Sequence, residues 1–236
     1  MVVIDTVYQR VLAFANKEQR GYITPQEFNL FANQAQMEIF EQYFYDINQA
    51  ARTPGNNYVY ADVDDMLEEK LQMFEVSDGT ATIAAYPTAG ANARRLPAYV
   101  YRVHRIEYDN ANCEILKTKD FNDVRQSGAL LAPTDSRPIA NVRSGLIRVV
   151  ASNDTFVVPT GLFYFKKPVD VAWGYFVVSG VALYNPAIST NFQLHESEQT
   201  ELVYKILKFA GVSMKREDIL KAGQGMEMTQ IQQEKQ

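Results

Sequence analysis

A single cysteine, Cys113, excludes an internal disulfide from this chain of 236 residues. The two histidines, His104 and His195, and that one thiol are too few for a structural zinc site of ordinary ligand spacing. No apolar run approaches the roughly 20 residues that a membrane-spanning helix needs. The opening residues, Met1-Val2-Val3-Ile4-Asp5, lack the basic stretch and long apolar core of a secretory leader. These absences together predict a protein that folds in a reducing cytoplasm. The sequence also has no Gly-x-Gly-x-x-Gly after a strand, no Gly-Lys-Ser/Thr phosphate loop and no Gly-x-Ser-x-Gly elbow. There is no internal repeat or low-complexity block.

What is present is an ordinary globular composition, 47% hydrophobic, in a chain long enough for one large domain or two small ones. The net charge of −5 is unevenly spread: −7 over residues 1–75, +3 over 76–195 and −1 over 196–236. Domain boundaries near 75 and 195 account for this pattern, and so does chance variation in a mixed-charge surface.

The apolar spacing of Val7, Val11, Leu12 and Phe14 predicts a helix over 4–20, closed by Gly21. Thr24-Pro25-Gln26-Glu27 then reads as a capping box with proline at the first helical position. The helix it opens runs to about residue 50, roughly 40 Å, where Pro54-Gly55 stops it. A third helix is expected after Asp62, with Asp62, Asp64 and Asp65 at its positive N-terminal end. Leu202, Val203, Ile206, Leu207 and Ala210 form the stripe of a C-terminal helix closed by Gly211, with a short helix to follow from Ser213 to about Lys221.

Between these helices the pattern changes. Residues 99–108 are aromatic and β-branched, Asp109–Asn112 is a turn, and Glu114–Lys117 reads as the returning strand. A short helix is expected at 119–126. Ile139–Arg143 and Leu146–Ala151 flank Ser144-Gly145 as a tight hairpin, and 156–158 and 162–166 continue the strand-and-turn rhythm. The predicted fold class is α+β. The N- and C-terminal segments, 1–75 and 196–236, form a helical bundle, and 76–195 form an inserted antiparallel β domain.

Candidate chemistry is sparse. His104 falls inside a strand and reads as a surface or half-buried ring; His195 falls just before a helix and reads as a cap. The acidic cluster Asp62, Asp64, Asp65, Glu68 and Glu69 lacks the glycine and the spacing of a calcium loop. The bases and tyrosines of the middle read as the wet face of a sheet before they read as a nucleic-acid surface. No catalytic residue, metal or cofactor is expected. Phe40, Tyr43, Phe44 and Tyr45 surround their helix instead of lining one stripe, so they are buried either by their own chain or by a neighbouring copy. The polar tail 223–236 is expected to order only on a partner, with Met226 and Met228 as anchors. The six residues Phe40, Tyr43, Phe44, Tyr45, Met226 and Met228 are thus the candidate subunit interface.

Several segments carry a family resemblance. They are Tyr22-Ile23-Thr24-Pro25-Gln26-Glu27-Phe28-Asn29 with Ala35-Gln36, Phe165-Lys166-Lys167-Pro168, Trp173-Gly174-Tyr175, Asn191-Phe192-Gln193-Leu194-His195-Glu196-Ser197-Glu198, Leu202-Val203-Tyr204-Lys205-Ile206-Leu207 and Ala210-Gly211-Val212. In this order the set resembles a structural protein family of short-tailed marine and crAss-like bacteriophages, of the head-to-tail adaptor type. The resemblance touches both ends and the late middle; 76–160 match only loosely. It implies a non-enzymatic virion subunit forming an oligomeric ring, often twelve-fold, stacked below the portal in the connector or tail. The implied partners are further copies of the chain, the portal or neighbouring tail ring proteins, and DNA in transit without specific binding; no membrane is implied. Two other classes stay open: a soluble binding module, and a virion-associated hydrolase with His104 or His195 in a deep pocket beside a serine or carboxylate.

Overall fold

The computed structural model describes residues 1–16, 23–50, 58–90, 92–128, 131–213 and 224–229. Helices run over Ile4–Asn16 (α1), Pro25–Ala50 (α2), Tyr58–Gln72 (α3), Thr80–Ala85 (α4), Thr118–Gln126 (α5) and Gln199–Ser213 (α6). Strands run over Glu75–Gly79 (β1), Arg94–Arg95 (β2), Val100–Tyr108 (β3), Ala111–Asn112 (β4), Glu114–Ile115 (β5), Ile139–Arg143 (β6), Leu146–Ala151 (β7), Thr155–Val157 (β8), Gly161–Lys166 (β9), Tyr175–Val178 (β10) and Val181–Tyr184 (β11). The fold is mixed α+β, and among the described residues all strand pairs but one are antiparallel. Contacts divide the chain into two compact units, Met1–Met73 with Pro168–Gln236, and Phe74–Lys167. Residues 168–195, expected in the insert, therefore group with the terminal segments.

In the first unit α6 packs against α1 and α2, and α3 packs against α2. The apolar positions of α1 and α2 meet here: Ile4, Val7, Val11, Phe28, Ala32, Ala35, Ile39 and Phe40 are buried. The start of α2 is the expected capping box. Thr24 N–H donates to Glu27 Oε2 at 3.0 Å, and Glu27 N–H donates back to Thr24 Oγ1 at 3.2 Å. These bonds from Thr24 hold the Glu27 carboxyl below its ordinary pKa. The expected caps at Gly21 and Pro54-Gly55, and the short helix to Lys221, lie outside the described residues. The start of α3 differs from expectation. It begins at Tyr58, so no acidic residue falls in its first turn, and the macrodipole does not explain the cluster. Asp65, Glu68 and Glu69 instead form a solvated mid-helix face.

The second unit is built on two sheets, ordered β1-β9-β3-β4 and β2-β7-β6-β5, with β8 added along β7. Ile106, Leu162 and Tyr164 from the first sheet share a core with Ala140, Ile147 and Val149 from the second. Ser144 and Gly145, at φ of +52° and +71°, make the predicted tight turn between β6 and β7. Asp109 and Asn110 also take positive φ, +46° and +64°, so the turn after β3 is two residues tighter than expected. Ala111–Asn112 therefore form the returning strand, and Glu114–Ile115 leave to pair in parallel with β6. In β3, register shifts at Tyr101 and His104 break strict alternation, and Tyr101, Arg102, His104 and Arg105 are all exposed.

A Cβ on Gly174 would stand 2.8 Å from the carbonyl carbon and oxygen of Ile188. Backbone cannot rotate away, so Gly174→Ala should lower stability by about 2 kcal/mol, read as a reduced urea midpoint. Gly128 opens onto free space, and Gly128→Ala should stay within about 0.5 kcal/mol.

Candidate functional site

One face of α2 in the first unit carries a ladder of side-chain amides. Asn29, Asn33 and Gln36 are four and three residues apart, so they share one helix face and rise by about 6 and 4.5 Å. Opposite them the chain from Val169 to Trp173 is extended, with an alternate-residue repeat of about 6.6 Å. Each rung meets every second residue. Asn29 Oδ1 accepts from Trp173 N–H at 2.7 Å, and its amide donates to Trp173 O at 3.4 Å. Asn33 Oδ1 accepts from Val171 N–H at 2.7 Å, and its amide donates to Val171 O at 2.9 Å. The last step along the helix is shorter than the strand repeat, and the longer glutamine spans the difference. Gln36 donates to Val169 O at 2.9 Å and accepts from Gln193 N–H at 2.9 Å, while Gln193 Oε1 takes Val169 N–H at 2.9 Å. Helix side chains thus act as the missing strand partner of 169–173.

This ladder seats the only tryptophan. Trp173 is buried against Tyr8, 4.3 Å between ring centres, and stacks on Tyr175 and Tyr184 at 5.8 and 5.7 Å. Its indole N–H donates to Asp5 Oδ1 at 2.9 Å. Ala172 and Thr190 exchange backbone hydrogen bonds of 3.2 and 2.8 Å, and Asn191 Oδ1 accepts from Ile4 N–H. From this base rises the hairpin β10–β11, turned by Ser179 and Gly180 at φ of +51° and +81°. The sequence reading missed it, although its Ser-Gly turn between aromatic and β-branched runs repeats the pattern of Ser144-Gly145. Residues 171–194 contain no charged side chain. On the hairpin Phe176, Val177, Val178, Val181 and Leu183 are exposed, Val177 by 63%. An open groove of about 550 Å³ follows β11, lined by Gly180–Tyr184 on one side and Tyr8, Gln9 and Leu12 of α1 on the other.

A second polar group lies along α6. Lys70 of α3 meets the buried Glu198 at 2.6 Å. Lys205, 4% exposed, lies 3.3 Å from Glu201 and 2.8 Å from Glu227, and Glu227 also meets Lys208 at 3.0 Å. Burial pushes Lys205 down, but Glu227 and Glu201 outweigh it and the net shift is upward. Burial likewise pushes Glu227 up, and the two lysines reverse it to a lowered value. Glu227 belongs to a helical turn over 224–229. Part of the tail expected to await a partner is therefore helical and paired with its own chain, by an ion pair that its Gln- and Met-rich composition concealed.

The candidate interface residues separate. Phe40 and Tyr43 are buried in their own unit, Phe40 edge-on to Phe44 at 5.1 Å and Tyr43 beneath Lys70. Phe44 is half-buried, and Tyr45 is 65% exposed. Met226 and Met228 face outward on either side of the buried Glu227.

His195 Nδ1 accepts from Ser197 N–H at 3.3 Å and lies 2.9 Å from Ser197 Oγ, capping the turn before α6. Glu198 accepts from Ser197 Oγ at 3.3 Å and is tied to Lys70. A hydrolytic triad needs the carboxylate on the second imidazole nitrogen, and here it lies on the serine. His104 pairs with Glu75 at 3.2 Å on the sheet surface. Among the described residues no group of three or more His, Cys, Asp or Glu side chains is placed to hold a metal ion, and no helix is long and apolar enough to cross a membrane. In the second unit Asp78 accepts from both Tyr86 and Tyr164, and burial, then that carboxylate, raise both phenols. Arg125 forks onto Asp154 at 2.5 and 2.7 Å, which holds that carboxyl low. Cys113 is buried, which pushes its thiol up to about 12. Compared with protein-family models and with curated proteins, the chain finds no match.

Replacing Asn33 by leucine leaves the buried Val171 N–H and C=O without partners. Asn33→Leu should cost about 3 kcal/mol, followed through Trp173 fluorescence in urea. Because Glu227 is lowered in the folded state, its contribution is present above the ordinary 4.5 and is lost as pH falls through the folded value. On acidification below 4.5 the protection of the amides over 224–229, relative to their intrinsic exchange rates, should therefore fall ahead of that of α6.

Proposed function

We propose that this chain is a structural subunit of a tailed-phage virion, assembling as a closed ring in the head-to-tail connector or tail through which DNA passes. The observation that carries this reading is where the resembling residues fall. Asn29, Gln36, Trp173, Gly174, Asn191 and Gln193 all belong to the segments that carry the resemblance to the phage adaptor type, and all of them take part in the amide ladder and its base. Residues that carry a resemblance and serve as scaffold support a structural role.

On this reading the helices of 1–75 and 196–236 act as one bundle that carries the β structure and supplies rigid ring walls. The ring, of twelve copies, needs a heterologous interface in which one patch meets a different patch on the next copy. Tyr45, Met226 and Met228 are the interface candidates that lie on the surface. The acidic helical segments suit a lumen that passes DNA without holding it, because a basic lining would bind phosphates. The neighbours are the portal or another tail ring, the location is the virion, and no catalytic step is assigned.

The purified protein, concentrated and examined by native mass spectrometry and negative-stain microscopy, should give one discrete multiple of the subunit mass and closed rings. A monomer at every concentration, with no ring in any state, would overturn the proposal.

A further inference from the structure

Resting on the ring reading, we infer that the hairpin β10–β11 is the element that joins copies, the free edge of β11 pairing with the free edge of β10 in the next copy. The turn dictates which groups are available. In a hairpin closed by two residues, the pair flanking the turn is hydrogen-bonded and the pairs alternate from there. Val178 with Val181 and Phe176 with Leu183 are the bonded pairs, and the alternation continues to Asn185, whose N–H donates to Gly174 O at 2.8 Å. The N–H and C=O groups of Tyr175 and Val177 therefore point outward along β10, and those of Ala182 and Tyr184 outward along β11.

Three further features specify a second copy as the occupant. Natural sheet edges are guarded by charge, proline or a bulge, and these two strands have none of them. The groove beside β11 is lined by five consecutive residues, Gly180–Tyr184, so it follows the strand and not one of its faces. Its other lining residues are Tyr8, Gln9, Leu12 and Trp173, and Leu12 is the partly exposed apolar side chain there that could meet a strand like Phe176-Val177-Val178. The directions also agree. Copies related by rotation about a ring axis point their hairpins the same way, so β11 of one copy runs antiparallel to β10 of the next. The joint is heterologous and closes, giving a ring of strands with two from each copy and no edge left over. A lone two-stranded hairpin is marginal in water, and this closure stabilises it.

The test is amide exchange on free subunit and assembled ring, with Val177→Lys and the β-branched control Val177→Thr. Tyr175, Val177, Ala182 and Tyr184 should exchange freely in the subunit and about a hundredfold more slowly in the ring, while Phe176 and Leu183 are protected in both. Val177 is exposed, so Val177→Lys should leave the ladder amides of Val171 and Trp173 protected yet reduce assembly at least tenfold, and Val177→Thr should assemble as the parent does. Rings that form equally well with Val177→Lys, or in which the four outward amides stay fast, would overturn the hairpin joint and leave the ring reading standing. Parent protein that never forms rings would overturn both. Binding of the parent subunit to phosphatidylcholine–phosphatidylglycerol vesicles, lost in Val177→Lys, would assign the hairpin to a lipid surface and overturn the inference.

Discussion

The first unit depends on one substitution of partners: amide side chains of a helix doing the work of a β-strand. The segment 169–173 buries Val171 and Trp173, and the backbone groups of those residues must be satisfied. Asn29, Asn33 and Gln36 meet that need at two-residue intervals, and two asparagines followed by a glutamine suit the mismatch between helix rise and strand repeat. A shift of one residue along the extended segment would present Ala172 and Asp170 to the rungs and turn Trp173 away from Tyr8. The ladder therefore fixes register as well as position. The indole, the hairpin above it, and the return of 185–194 to Ile4 and Gln36 follow from it.

The ladder also marks where sequence reasoning stops. Several local signals hold, the capping box at Thr24–Glu27, the Ser144-Gly145 hairpin and the short helix at 118–126 among them, but Gly211, expected to close the C-terminal helix, lies inside α6, which runs on to Ser213. Asn29, Asn33 and Gln36 lie among polar positions of α2, and nothing nearby separates a solvated amide from one engaged about 140 residues away. The same limit hid Glu227, whose partners are on α6, and placed Glu114–Ile115 with β3 instead of β6. The aromatic quartet of α2 divides for a related reason. Phe40 and Tyr43 are buried, Tyr43 beneath Lys70 of α3, which spacing within α2 cannot reveal. The hairpin β10–β11 was within reach, since its turn dipeptide was read correctly at 144–145.

The two units draw on different physics. The second is a shared apolar core between two sheets, with Asp78 joined to two tyrosines and Arg125 clamped on Asp154. The first has its own apolar core among the helices and adds to it amides and buried ions: Lys70 with Glu198, Lys205 between Glu201 and Glu227. Buried ion pairs add little net stability over well-packed apolar residues, but removing one partner is costly, so they favour one arrangement over its competitors.

The burial of Cys113 has a practical side. A thiol pushed up to about 12 presents almost no thiolate at neutral pH, and its side chain is enclosed in the core of the second unit. Maleimide reagents will therefore pass over the natural cysteine. A cysteine introduced on the surface becomes the one reactive handle in the molecule, so a fluorophore or spin label can be placed at a chosen position with the native sequence otherwise intact.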